Sequence, residues 1–427
     1  MLSRLVAFDT VSPPGNEIAA ANWVRDELTK NGITAEVLSP DGKRGNVIAR
    51  LKGDGSKRPV LLLAHLDVVG FTRAGWKSDP LSLVERDGFL FGRGVADDKG
   101  MAAFLFVAFV ELARAKLPLT RDVILALTAD EESGGDHGVQ WLLKHHREKL
   151  DAEFALNEGG QVRLFGDKVQ VGVQTGEKLY LDVDITARGK SGHSSVPSRQ
   201  NAIHRLANAI AHLSDLEFPI RLNATTRGYF AQVAPLYDGD EREALLQVAS
   251  NGKDAPRAAE KLAKRPYWNS LLRTTCIATV VKGGIRVNAL PSEARANVNC
   301  RIAPDDDPAE IVAKLKAAAN DPKLTWKHDL PARAPESPVD GAGYRAIVEA
   351  AQRTWPGSTT VAFMSTGGTD SRWLRAVGIP GYGVTPYPAA RGVELHAHGH
   401  NERIPVRSLV DGPRFVYEFL ISSAVKK

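Results

Sequence analysis

The sequence is short of sulfur and of aromatic residues: 427 residues carry two cysteines and three methionines, and Phe, Trp and Tyr make up 7%. Two cysteines exclude a disulfide framework of the kind that staples small secreted folds. Cys276 and Cys300 lie in strand-like segments and are expected to be two free buried thiols, a single bridge being the alternative. No apolar stretch reaches the roughly 18 residues that span a bilayer. The longest, Met101 to Val110, stops at Glu111 and reads as a buried helix, so no membrane partner is expected. Neither charge dominates: 55 Lys and Arg stand against 50 Asp and Glu, a formal net charge of +5. No basic stripe with interleaved aromatics is present, which argues against nucleic acid as a partner. A signal-peptide pattern is missing too, because Met1 leads within a few residues into Leu5-Val6-Ala7-Phe8-Asp9. The default expectation is a cytoplasmic protein, or a periplasmic or secreted one if an export signal has been trimmed.

What is present is ordinary globular composition, 43% hydrophobic and 25% charged, in a chain long enough for two or three domains at roughly 150 residues each. Short apolar runs at Val60 to Ala64, Val123 to Thr128, Phe154 to Asn157 and Ile379 to Val384 read as buried parallel strands. Helical patterns such as Met101 to Ala115 and Val139 to His145 lie between them, which predicts an α/β fold with a mostly parallel central sheet flanked by helices. From Leu179 the pattern changes: Leu181, Val183 and Ile185 alternate with Asp182, Asp184 and Thr186, as in a strand with one solvated face. Similar strands at Thr274 to Val281 and Ala294 to Arg301, with helical patterns at Ala202 to Leu213 and Pro308 to Ala319, predict an inserted α+β domain with an open sheet. The expected division is a discontinuous catalytic domain, 1–178 and 335–427, interrupted by a lid or dimerisation domain, 179–334. The segment Leu222 to Tyr267 has no clear pattern.

Chemistry-bearing residues collect where the apolar strands end. One ends in His65-Leu66-Asp67, another is followed by Asp130-Glu131-Glu132, and a third by Asn157-Glu158-Gly159-Gly160. A further turn holds Gly92-Arg93-Gly94-Val95-Ala96-Asp97-Asp98-Lys99. In open parallel sheets this edge is where ligands bind. Asp67, Asp97, Glu131, Glu132 and Glu158 converging there with His65 would repel unless cations neutralise them. Nitrogen and carboxylate donors without thiolate suit zinc or a similar divalent ion, and there are enough for two. Taken singly these residues have plainer readings. His65 beside Asp67 fits a hydrogen-bonded structural histidine, Glu131-Glu132 a solvated turn, and Gly92 and Gly94 a turn lacking the third glycine of a dinucleotide fingerprint.

In order along the chain stand His65-Leu66-Asp67-Val68-Val69, Gly-Arg-Gly-x-x-Asp-x-Lys, Glu-Glu, Asn-Glu-Gly-Gly, Gly192-His193-Ser194-Ser195-Val196-Pro197 and His398-x-x-Asn401-Glu402. This series resembles the zinc aminoacylase and carboxypeptidase family, which includes acetylornithine deacetylase, succinyl-diaminopimelate desuccinylase, glutamate carboxypeptidase and carboxypeptidase S. Trp76 with Asp79-Pro80, and the run Asp87 to Gly94, resemble the carboxypeptidase S branch in particular. The resemblance implies two divalent metal ions, Zn2+ above all with Co2+ or Mn2+ as alternatives. Asp97 would bridge them, with His65, Glu132, Glu158 and His398 as the remaining ligands; His396 and His400 do not fit the spacing. It implies that Asp67 orients the site, that Glu131 is general base on a metal-bridging water, and that the Asp97–Asp98 peptide is cis. The lid loop would supply His193 as donor to the oxyanion, and Asn288, Arg301 and Gly368 would contact substrate. The loop read alone is a glycine-rich turn with a helix N-cap at Ser195 or Ser198. Arg372 is a second candidate carboxylate anchor, and a structural salt bridge is the other reading of Arg301.

The implied activity is hydrolysis of dipeptides or N-acyl amino acids bearing a free C-terminal carboxylate, by a homodimer paired through the lid domain. A narrow-specificity biosynthetic N-deacylase and a catalytically silent relative that binds a carboxylated small molecule are the alternatives.

Overall fold

The computed structural model describes residues 1–426, and the chain contacts divide it into two compact units. One comprises Met1–Thr175, Glu336–Phe363 and Thr369–Lys427, the other Gly176–Pro335 and Met364–Gly368. The first unit is built on an eight-stranded sheet whose centre is parallel, as the continuous apolar runs require. Val60–His65 lies between Val123–Thr128 and Phe154–Phe165, parallel to both, and Gly381–Ala390 continues beyond Phe154–Phe165 in the same direction. All six residues of Val60–His65 and of Val123–Thr128 are buried, so both faces are covered. One cover is helix Lys99–Ala115, itself buried around most of its circumference. Antiparallel strands Asn46–Leu51 and Ala35–Leu38 close one side of the sheet. Among the described residues no helix is long and apolar enough to cross a membrane.

In the second unit strand Leu179–Arg188 buries Leu181, Val183, Ile185 and Ala187 and exposes the residues between most of them. Its sheet has four strands, in the order Thr275–Gly283, Glu293–Ile302, Leu179–Arg188, Thr325–Lys327. Helices Ala202–Ser214 and Pro308–Ala319 supply Leu206, Ala209, Ile311 and Leu315 to its core. The helix after the His193 loop is capped by Asn201, whose side chain accepts from Ile203 N and His204 N, and not by Ser195 or Ser198. An Asn in extended backbone directly before the first helical turn satisfies those amides, whereas both serines lie too far upstream. Leu222 to Tyr267, unplaced by pattern, belongs to four helices, Ala224–Val233, Gly239–Ser250, Ala255–Ala263 and Pro266–Leu272. Phe230, Leu245, Val248, Leu262 and Trp268 form their core, separate from that of the sheet.

Cys276 and Cys300 are not free thiols. They face each other in register on neighbouring antiparallel strands and are joined as a disulfide. Spacing alone could not show this, because pairing depends on strand register. The link spans a sequence separation of 24, and loop-closure entropy gives it about 3 kcal/mol. Unreduced, denatured protein should therefore yield no alkylatable thiol, and Cys276→Ser should lower the thermal midpoint by several degrees; two free thiols in that assay would contradict the bridge.

Candidate metal centre and active site

His65 closes the buried strand Val60–His65, so its side chain emerges at the sheet edge while its backbone stays in the ladder. Asp97 precedes helix Lys99–Ala115, and its peptide bond to Asp98 is cis. Glu131 and Glu132 form a single 3-10 turn after strand Val123–Thr128, entered through Asp130 at φ +69°. Glu158 does not follow its strand, as its position after Asn157 suggested, but lies within Phe154–Phe165. The pairing with Gly381–Ala390 slips there, from Gly383 opposite Asn157 to Thr385 opposite Gln161. Such a bulge re-aims a side chain. Gly159 has φ +119° within it, and a Cβ there would lie 1.6 Å from Gln174 Oε1.

Two clusters share Asp97. His65, Asp97 and Glu158 form one, Asp97, Glu132 and His398 the other, and within each the potential donor atoms lie within 4.8 Å of one another. His65 Nε2 is 3.0 Å from Asp97 Oδ1 and 3.9 Å from Glu158 Oε1. His398 Nε2 is 3.1 Å from both Asp97 Oδ2 and Glu132 Oε2. His65 Nδ1 lies 3.0 Å from the Asp67 carbonyl; donation there leaves Nε2 with its lone pair turned toward carboxylates. The Asp67 carboxylate accepts the backbone amides of Glu131 and Glu132, each at 3.1 Å, and so fixes the turn that presents both side chains. His396 and His400 lie outside both clusters.

Electrostatics make this a site for cations. Burial, aided by the charges of Asp97 and Asp98, pushes the Glu158 carboxyl well above the ordinary carboxylate range. Burial does the same to Glu131, where Glu158, Asp370 and Glu132 add to it and His65 opposes. Hydrogen bonds to Asp97 and Glu132 raise His398 to about 10. Glu132 Oε1 is buried without a hydrogen-bond partner. Two divalent cations would fit this donor set: they would neutralise the carboxylates and engage the lone pairs of both imidazoles, and mixed N/O ligation of this kind suits zinc, cobalt or manganese.

One contributor had no sequence signal. Arg44 is buried and donates to Glu17 Oε2 at 2.8 Å, Ser12 Oγ at 3.0 Å and Asp130 Oδ1 at 2.9 Å. It therefore anchors the residue that starts the Glu131–Glu132 turn, yet no motif surrounds it.

In the second unit, Gly192–His193 pairs with Ala289–Leu290, and Ser194 N donates to the Asn288 carbonyl at 3.0 Å. His193 and Asn288 are thus neighbours, both exposed. Ser195 N donates to His193 Nδ1 at 3.2 Å, so the neutral ring carries its proton on Nε2 as an outward donor. Arg301 stands apart from this loop on strand Glu293–Ile302, its guanidinium 4.7 Å from the Tyr180 ring centroid. Gly368 is exposed in the segment after strand Thr359–Ser365, and Arg372 lies over Trp373.

A family model described as Peptidase family M20/M25/M40 matches residues 61–422. The N-fatty-acyl-amino acid synthase/hydrolase PM20D1 of Homo sapiens is 28% identical over 377 residues, covering 86% of this chain and 74% of that protein. The probable carboxypeptidase S-like 2 of Dictyostelium discoideum is 26% identical over 383 residues, covering 86% and 72%. Among solved structures, the M20 family metallo-carboxypeptidase Sso-CP2 from Sulfolobus solfataricus shares the fold, with a TM-score of 0.75 at 21% identity over 98% of this chain and 97% of that one.

Proposed function

The chain belongs to peptidase family M20/M25/M40, and from that premise we propose that it hydrolyses the amide bond of dipeptides or N-acyl amino acids with a free C-terminal carboxylate. The observation that carries this reading is Asp97 shared by two three-residue donor clusters, beside a carboxyl, Glu131, that belongs to neither. In this reading His65, Asp97 and Glu158 hold one divalent cation, and Asp97, Glu132 and His398 the other. Bound there, the pair supplies Lewis-acid polarisation of the carbonyl and acidification of water.

The chain's own residues do the rest. Glu131 takes a proton from the attacking water as its oxygen bonds to the amide carbon. It returns that proton to the nitrogen as the C–N bond breaks; the second water proton passes from the new carboxyl group to the released amine, so the products leave as a carboxylate and an ammonium. Asp67 keeps Glu131 in place through the backbone amide. His193 is assigned the role of donating Nε2–H to the developing oxyanion, which its Ser195-fixed tautomer supports. Asn288, Arg301 and Gly368 are assigned to the substrate, Arg301 to its carboxylate, for which a planar guanidinium is suited. The names of the two relatives, one a fatty-acyl-amino acid hydrolase and one carboxypeptidase S-like, support this substrate class.

We also propose a homodimer through the inserted unit. Thr275–Gly283 is an edge strand of the four-stranded sheet, and it exposes Ile277, Val280 and Val281, the surface a second copy would cover. Light scattering should return twice the 46.2 kDa chain mass; a monomer at micromolar concentration would refute it.

Titrating zinc into chelator-treated protein tests the main reading. Two equivalents should bind per chain, and hydrolysis of N-acyl amino acids should return with them. Binding of none, or unchanged activity in the chelated protein, would overturn it.

A further inference from the structure

We propose that the buried ion pair between Arg93 and Glu402 is the positioning element of the metal centre, setting the backbone of Asp97 and tying the His398 loop to it. This rests on the reading that Asp97 and His398 are metal ligands. Glu402 is 0% exposed and Arg93 2%. One carboxylate oxygen of Glu402 accepts Arg93 Nη1 at 2.6 Å and Gly94 N at 3.0 Å; the other accepts Ala96 N at 2.8 Å and Asp97 N at 3.0 Å. The Glu402 carbonyl accepts Gly92 N at 3.1 Å. A single residue thus receives amides from nearly the whole turn that ends in Asp97. Gly94, at φ +84°, gives this turn the curvature that aims several amides inward. From the other side, Arg93 Nη2 donates to the Gly399 carbonyl at 3.1 Å and the His398 carbonyl at 3.3 Å.

The pair acts where secondary structure does not. His65 and Glu158 are placed by strands, and Glu132 by a turn whose amides bond Asp67. Asp97 and His398 lie outside regular elements. His398 moreover has φ +63°, a conformation that a non-glycine residue keeps only when its surroundings hold it. Both irregular ligands depend on the same ion pair. A buried ion pair is a weak device for stability alone, since apolar side chains of similar volume serve as well or better. What apolar residues could not supply is a carboxylate that accepts three amides of the Asp97 turn, those of Gly94, Ala96 and Asp97, together with a fork of donors for the His398 loop.

The two partners should have separable effects. Arg93→Lys keeps the charge beside Glu402 but loses the planar fork that spans both loops. It should weaken zinc binding about 10- to 100-fold at the Asp97–Glu132–His398 cluster, leaving the His65–Asp97–Glu158 cluster near its wild-type affinity. Glu402→Gln puts an amide NH2 against donors and should weaken both clusters. Arg121→Lys, which alters the pair between buried Arg121 and partly exposed Glu153 remote from the ligands, is the control: it should lower the thermal midpoint without changing zinc affinity. If Arg93→Lys and Glu402→Gln also lower the midpoint while both equivalents bind as in wild type, the pair is only structural and the proposal fails. Amide hydrogen exchange is read alongside and needs no variant that might not fold. In chelator-treated wild type the Gly94, Ala96 and Asp97 amides should be protected, and free exchange there would also overturn the proposal. Wild type that binds no zinc but protects these amides would instead refute the metal reading and leave the positioning of the turn intact.

Discussion

Replacing Glu131 by glutamine should lower kcat by roughly 10³- to 10⁴-fold, the full value of a general base and acid at one position, equivalent to about 4 to 5.5 kcal/mol of barrier. Zinc content should not change. The variant keeps shape and burial, and the amide of residue 131 can still donate to Asp67 as it does in the wild type, so the turn stays in place. Glutamine cannot accept the water's proton at its amide nitrogen, nor carry it to the leaving nitrogen. Glu131 also belongs to neither donor cluster, which is why loss of turnover and loss of metal should separate. The measurement is steady-state kinetics on zinc-loaded variant and wild type with metal analysis of the same samples. A variant that retains a tenth or more of wild-type kcat would remove Glu131 from the mechanism.

Asp97→Asn should be as damaging for a different reason. Oδ1 faces His65 and Oδ2 faces His398, at 3.0 and 3.1 Å, so one carboxylate serves both clusters. Asparagine keeps one acceptor, loses the charge and presents an NH2 to the other imidazole. At most one zinc equivalent should remain after dialysis, and kcat/KM should fall at least about 10³-fold, the several kcal/mol that metal-assisted charge stabilisation provides. Metal analysis after dialysis reads this directly, and two retained equivalents would show that Asp97 is not shared between metals.

The sequence made some of this legible and hid the rest for identifiable reasons. The central strands could be read because burial on both faces leaves uninterrupted apolar runs, and a side chain just beyond such a run sits at the ligand-binding edge. His65 and the Glu131–Glu132 turn obeyed that rule. Glu158 was singled out by the same rule, yet its strand continues past it, and a bulge rather than a strand end turns its side chain. Which candidate donors share a cluster depends on tertiary position: Asp97 and His398 are far apart in sequence and meet through loops. The Arg93–Glu402 contact is 309 residues apart and that of Arg44 with Asp130 is 86 apart, so neither leaves a local trace. The disulfide stood only as the alternative to two free thiols, because strand pairing, not cysteine count, decides whether two thiols face each other. The helices between Ala224 and Leu272 were missed because none exceeds 12 residues, too few turns for periodicity to stand out, and their shared core comes from packing several short pieces together.

The most direct test is to incubate zinc-loaded protein with a mixed panel of dipeptides and N-acyl amino acids, medium- and long-chain acyl groups included, and to follow released amino acids by mass spectrometry against Glu131→Gln. Release from some members by wild type, with the variant reduced at least about 10³-fold, is the predicted result. No release from any member at full zinc occupancy, or equal release by both proteins, would contradict it.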